Sequence, residues 1–141
     1  MDKRLTSVYW VVTGVMAVFM LTGSVADVLA IPQAAAFMRH LGYPPYLLRF
    51  LGTAKILGVI VVCVPTPRTL KEWAYAGLTI DLSGALYSHL SVGDPVNAWM
   101  FPVIGLMLVG GSYLTRQQAA ALLPGRPIVG SPLADGRIGF D

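Results

Sequence analysis

Four apolar runs, each about 20 residues long, dominate this chain of 141 residues, and short breaks rich in proline, glycine and single charges separate them. A helix that crosses a bilayer needs about 20 mostly apolar residues with every backbone polar group bonded internally. Four such runs and their turns use nearly the whole chain. They lie at roughly 5–30, 46–64, 70–90 and 98–114. Only 12% of the residues are charged, against roughly 25% in soluble domains, so lipid is the expected solvent for most of the surface.

The breaks set the topology. Ile31 to Pro45 is too polar to span, but Pro32 suits a first helical position and Gly42 a position just past a helix end, so Gln33–Leu41 is expected to be a short surface helix. Pro65-Thr-Pro67 ends the second run and Ser91-Val-Gly-Asp-Pro95 the third. These short connections make neighbouring helices antiparallel. Met1-Asp-Lys-Arg and Val28-Leu-Ala30 imitate the ends of a cleavable leader, but the apolar stretch is longer than a usual leader core, so the first run is expected to remain as a span. The expected fold is therefore all-α: a four-helix transmembrane bundle over residues 1–123 with a short surface helix between spans 1 and 2. From Pro124 the composition turns to proline, glycine and isolated charges, which predicts a flexible cytoplasmic tail over 124–141.

Lysine and arginine orient the helices. Lys3, Arg4, Arg68, Lys71, Arg116, Arg126 and Arg137 fall on one side, against Arg39 and the near-interface Arg49 on the other. That asymmetry predicts a multi-pass protein of the plasma (inner) membrane with both termini cytoplasmic. The net charge of +3 is spent on orientation and forms no basic patch, so nucleic acid is not an expected partner. Common metal, redox-thiol, phosphate and dinucleotide motifs are absent, and no metal site or cofactor is encoded by motif. Cys63 stands alone at the end of an apolar run and is read as packing.

Charges inside the runs are expensive, about 2.5–3.5 kcal/mol each at a helix centre. Lys55 lies in the middle of the second run and Asp81 in the middle of the third. At about 1.5 Å per residue, Lys55 is about 13 Å out from Val64 and Asp81 about 15 Å out from Lys71, which puts both at one level on adjacent helices. A second polar layer is expected farther out: Asp27 about 25 Å above Trp10, and His89 about 24 Å above Trp73. Arg49 falls near that height and is expected to neutralise Asp27. Asp81, Ala85, Ser88 and His89 recur on one face of the third helix, which should look inward. Gly52, Gly58, Gly77 and Gly84 are expected to let the helices approach. Lys55, Asp81, His89, Ser88, Asp27 and Arg49 are thus the candidates for ligand binding and proton exchange, although a purely structural Lys55–Asp81 clasp fits the same pattern.

Several motifs occur in order: Leu41-Gly-Tyr-Pro-Pro-Tyr46, Leu51-Gly-x-x-Lys55-x-Leu-Gly58, Leu70-Lys-Glu-Trp-Ala-Tyr-Ala-Gly77, Asp81-Leu-Ser-Gly-Ala-Leu-Tyr-Ser-His89 and Val92-Gly-Asp-Pro95. In these the chain resembles the DoxX-like membrane proteins from about Leu5 to Thr115. The resemblance implies a four-helix membrane bundle, distantly related to the small subunit of thiosulfate:quinone oxidoreductase and to membrane proteins that handle quinones or vitamin K. Lys55, Asp81 and His89 match that family's recurring polar positions. The expected function is a component of a membrane oxidoreductase system that binds a quinone-like or other small redox molecule in a polar intramembrane pocket. Its expected partners are the lipid bilayer and either a redox subunit or a second copy of the chain. A non-enzymatic transporter or an assembly partner of a membrane complex is the alternative.

Overall fold

The computed structural model describes residues 3–121. They are helical almost throughout, with no strand among them: α1 (Lys3–Val28), α2 (Pro32–His40), α3 (Leu47–Cys63), α4 (Arg68–Val92) and α5 (Val96–Ala121). The four long helices coincide with the four apolar runs, and the short α2 occupies the polar break after the first. α5 continues past Leu114 through Gln117 and Gln118. The tail expected from Pro124 lies outside the described residues.

Local chemistry places the ends. Pro32 opens α2 at a position whose missing N–H costs nothing. Val64 is extended, with ψ 159°, because Pro65 excludes helical backbone from the residue before it. At the other end of α4, Gly93 takes φ 76°, and the next amide, Asp94 N–H, donates back to the His89 carbonyl at 3.0 Å. A glycine accepts this left-handed cap without a Cβ clash, and the cap fixes where Asp94 stands relative to α4.

The long helices form a ring in the order α1, α3, α4, α5: α1 packs on α3 and α5, and α4 packs on the same two. The centre is filled by Met16 and Met20 of α1, Val59 and Val62 of α3, Tyr75, Leu78 and Leu82 of α4, and Val109 of α5. Thr13, Tyr75 and Ser112 form a buried hydroxyl layer, with Ser112 Oγ 2.7 Å from Thr13 Oγ1 and 2.8 Å from the Tyr75 hydroxyl. It ties α1, α4 and α5 together at one level.

Apolar side chains also cover the outside. Val18 on α1, Leu57 on α3, Ile80 on α4 and Met107 on α5 are 68%, 58%, 72% and 71% exposed. All four long helices therefore carry large apolar side chains on outward faces, a pattern costly in water. α1 and α5 are long and apolar enough to cross a membrane, with mean hydropathy 1.8 and 1.5 over 18 residues.

Candidate functional site

The site starts from a close approach of α1 and α3. A Cβ added to Gly52 would stand 2.9 Å from Asp27 Cβ, from the Ser24 carbonyl oxygen and from Val28 Cγ2. Only glycine fits there, and its smallness brings the last turn of α1 against α3. One turn farther along α3, Lys55 Nζ donates to Asp27 Oδ2 at 2.9 Å. The same ammonium stands 3.6 Å from Asp81 Oδ2 on α4. Lys55 thus lies between two carboxyl groups from two other helices. The side chains of Asp27, Lys55 and Asp81 are only 20%, 20% and 17% exposed.

The proximity of Lys55 and Asp81 matches their expected common level. The expected outer layer does not form: Asp27 joins Lys55 instead of His89 or Arg49. Arg49 is exposed and makes none of the ion pairs found among the described residues. Two features explain the difference. The close approach at Gly52 brings the Asp27 turn of α1 against α3, and the long Lys55 side chain reaches Asp27 Oδ2 from one turn farther along α3. Heights counted along the helix axes from Trp10 and Trp73 take no account of side-chain reach.

His89 and Ser88 belong to a different cluster at the end of α4. The acceptor-only carboxylate of Asp94 takes a hydrogen bond from His89 Nδ1 at 2.6 Å and another from His40 Nε2 at 2.7 Å. His89 is buried, with its ring 5.1 Å from that of Phe37. Ser88 donates to the Gly84 carbonyl at 2.8 Å and accepts from the Tyr43 hydroxyl at 2.8 Å. Phe37, His40 and Tyr43 therefore hold the α2 segment to α4 through side chains. The N–H groups of His40 and then His89 hold the Asp94 carboxyl below the ordinary carboxylate range. The inward face expected for Asp81, Ser88 and His89 thus serves two separate groups.

A cavity of about 290 Å³ lies between α3 and α4. Lys55 and Asp81 contribute its charged groups, while Leu51, Gly58, Trp73 and Gly77 are among its apolar walls. A larger space of about 400 Å³ between α4 and α5 has Glu72 as its charged lining residue. Glu72 is already paired with Arg116 at 3.1 Å, so the smaller cavity has the richer chemistry. Of the expected glycine contacts, Gly52 and Gly58 do face a neighbour, Gly58 lying against Leu78. Gly77 and Gly84 have open space where a Cβ would stand, so they do not set helix spacing. Among the described residues no group of three or more histidine, cysteine or acidic side chains is placed to hold a metal ion.

Sequence reasoning missed Asp94, His40 and Tyr43. A usable signal was present in Gly93: a left-handed cap after His89 returns the next residue toward the helix end, which brings Asp94 within reach of His89.

Comparison with known proteins places these features in a family. The DoxX-like family matches over residues 11–112, which include α2, α3, α4 and most of α1 and α5. The chain is also similar to the uncharacterized protein YdgD of Bacillus subtilis (strain 168), with 27% identity over 107 residues, covering 70% of this chain and 91% of that protein. No solved structure matches.

Proposed function

The chain belongs to the DoxX-like family of membrane proteins, and on that premise we propose that all four long helices cross the bilayer as a bundle and that Lys55 and Asp81 form a binding site for a quinone-like molecule. The outward apolar faces of α3 and α4 support the spanning reading, since Phe50, Leu57, Trp73, Ile80 and Tyr87 are exposed and would be covered by lipid. α3, with 17 residues, is about 25 Å long and crosses with help from its flanking residues. With the four long helices alternating in direction, Lys3, Arg4, Arg68, Lys71 and Arg116 fall toward one membrane face and Arg39 and Arg49 toward the other, an asymmetry that supports an inner-membrane orientation with both termini cytoplasmic.

The observation that carries the binding reading is the cavity of about 290 Å³ with an ammonium and a carboxyl group on otherwise apolar walls. Pockets that bury a whole drug-sized ligand begin at about 300 Å³. The space therefore suits one ring, with an isoprenoid tail left in lipid between α3 and α4. Lys55 Nζ donates to a carbonyl oxygen, and Trp73 offers a flat apolar surface. The residues bind and orient the ring, while electrons come from a partner subunit of an oxidoreductase system.

Photolabelling the protein in lipid nanodiscs with an azido-quinone tests this. Adducts are expected within 51–58 and 73–81, and an excess of unlabelled quinone should suppress them. Labelling spread evenly over lipid-facing residues would refute the site. Proton-coupled solute flux into liposomes without any redox change would replace the oxidoreductase reading with transport.

A further inference from the structure

We propose that Asp81 is a protonated, neutral carboxylic acid when the site holds no ligand, so that the Asp27–Lys55–Asp81 triad carries no net charge and selects neutral ligands. This deepens the quinone-site reading and rests on its assignment of α3 and α4 to the bilayer.

The argument is one of charge count. The triad contains two carboxyl groups and one ammonium, and ionising all three would leave one uncompensated negative charge. Groups from every neighbouring element bear on the balance. α1 brings Asp27 and α3 brings Lys55. Arg49, earlier on α3, is exposed and pairs with neither carboxylate among the described residues. On α4, His89 is committed to Asp94. The described part of α5 carries one charged side chain, Arg116, which pairs with Glu72 at the opposite end. No second cation stands beside the triad among the described residues, and an unpaired charge at this depth is costly enough that the group takes up a proton instead.

Geometry decides which carboxyl holds it. Lys55 makes a hydrogen bond to Asp27 at 2.9 Å, whereas Asp81 is 3.6 Å away, beyond ordinary hydrogen-bond reach. Asp27 has the counterion. Asp81 instead lines the cavity between α3 and α4, whose other walls apart from Lys55 are apolar. The resting site then offers two donors, the Lys55 ammonium and the Asp81 O–H, in surroundings with no net charge. Such a site favours a neutral molecule with two acceptor oxygens, and it disfavours anions and cations alike.

Infrared difference spectroscopy in nanodiscs at neutral pH, with exchange from H₂O to D₂O, reads the proton directly. Wild type is expected to show a protonated-carboxyl C=O band that shifts on exchange. Asp81→Asn should lose the band. Asp27→Asn should lose it too, because Lys55 then has one carboxylate left and Asp81 ionises to pair with it. Where Lys55→Met inserts and folds, its band should rise to that of two carboxyl groups. A wild-type spectrum without the band, or a band that survives Asp27→Asn, overturns the proposal. Azido-quinone labelling of the same samples separates the two ideas. A missing band with labelling intact removes only the proton, whereas a band with no labelling leaves the proton and removes the quinone site.

Discussion

Removing Lys55 should damage the protein far more than removing either carboxylate, and Asp81→Asn should be nearly silent for stability. At an effective dielectric constant of about 20, the Lys55 ammonium attracts the Asp27 carboxylate by about 6 kcal/mol at 2.9 Å and would attract an ionised Asp81, as in Asp27→Asn, by about 5 kcal/mol at 3.6 Å. These are gross attractions, largely cancelled by the cost of taking the charges out of water. Net effects therefore depend on what each variant leaves unpaired. Lys55→Met leaves Asp27 without its counterion and should cost about 3–5 kcal/mol. Asp27→Asn removes the shorter bond but lets Asp81 ionise and take its place, for about 1–2 kcal/mol. Asp81→Asn exchanges one neutral group for another of similar shape and should cost about 1 kcal/mol or less. Lys55→Met with Asp27→Asn removes both charges of the closer pair and should recover most of the single-variant loss. Reversible unfolding in mixed micelles, with helix content and tryptophan emission as probes, ranks the four proteins. An Asp81→Asn protein as unstable as Lys55→Met would refute this reasoning.

Gly52→Ala should destabilise by about 1–3 kcal/mol, since its Cβ would meet Asp27, Ser24 and Val28 at 2.9 Å, whereas Gly77→Ala should be neutral; equal effects in the same unfolding assay would contradict the packing. Ser112→Ala should cost about 1–3 kcal/mol by orphaning the buried hydroxyls of Thr13 and Tyr75, and an unchanged midpoint would argue against that layer. The Asp94 carboxyl is held low by His40 and His89, so its contribution is complete above about pH 4 and is lost as pH falls through the depressed value. Spin labels at Ala36 and Val96 should keep their distance down to about pH 4 and separate below it; separation already near neutral pH, or none in strong acid, would contradict the link. A reporter at the C-terminus and one in the Gly93 turn should lie on opposite sides of the membrane, and matching signals would break the four-span topology.

The helices were legible because apolar length, Pro32, Pro65 and Gly93 are local signals, and local signals survive without knowledge of tertiary packing. Lys55 and Asp81 could be brought to one level because they lie on helices joined by a short turn. Asp27 could not be placed, since its partner depends on the contact at Gly52 and on the reach of the Lys55 side chain, neither of which a rise per residue reports. Arg49 illustrates the same limit: proximity in height suggested a partner, but the side chain points outward. His89 was singled out correctly as polar and inward-facing, yet its partner lay across the α4 cap in Asp94. Thr13 and Ser112 are ordinary small residues in apolar helices, and only the ring of helices brings them together.

The most direct measurement is equilibrium binding of a short-chain quinone to nanodisc-embedded Lys55→Met/Asp27→Asn, by calorimetry beside wild type. That variant should fold with nearly wild-type stability and bind at least about tenfold more weakly, the equivalent of about 1.4 kcal/mol. Unchanged affinity in the folded variant would reduce the triad to a structural clasp and contradict the assignment of Lys55 to a ligand site.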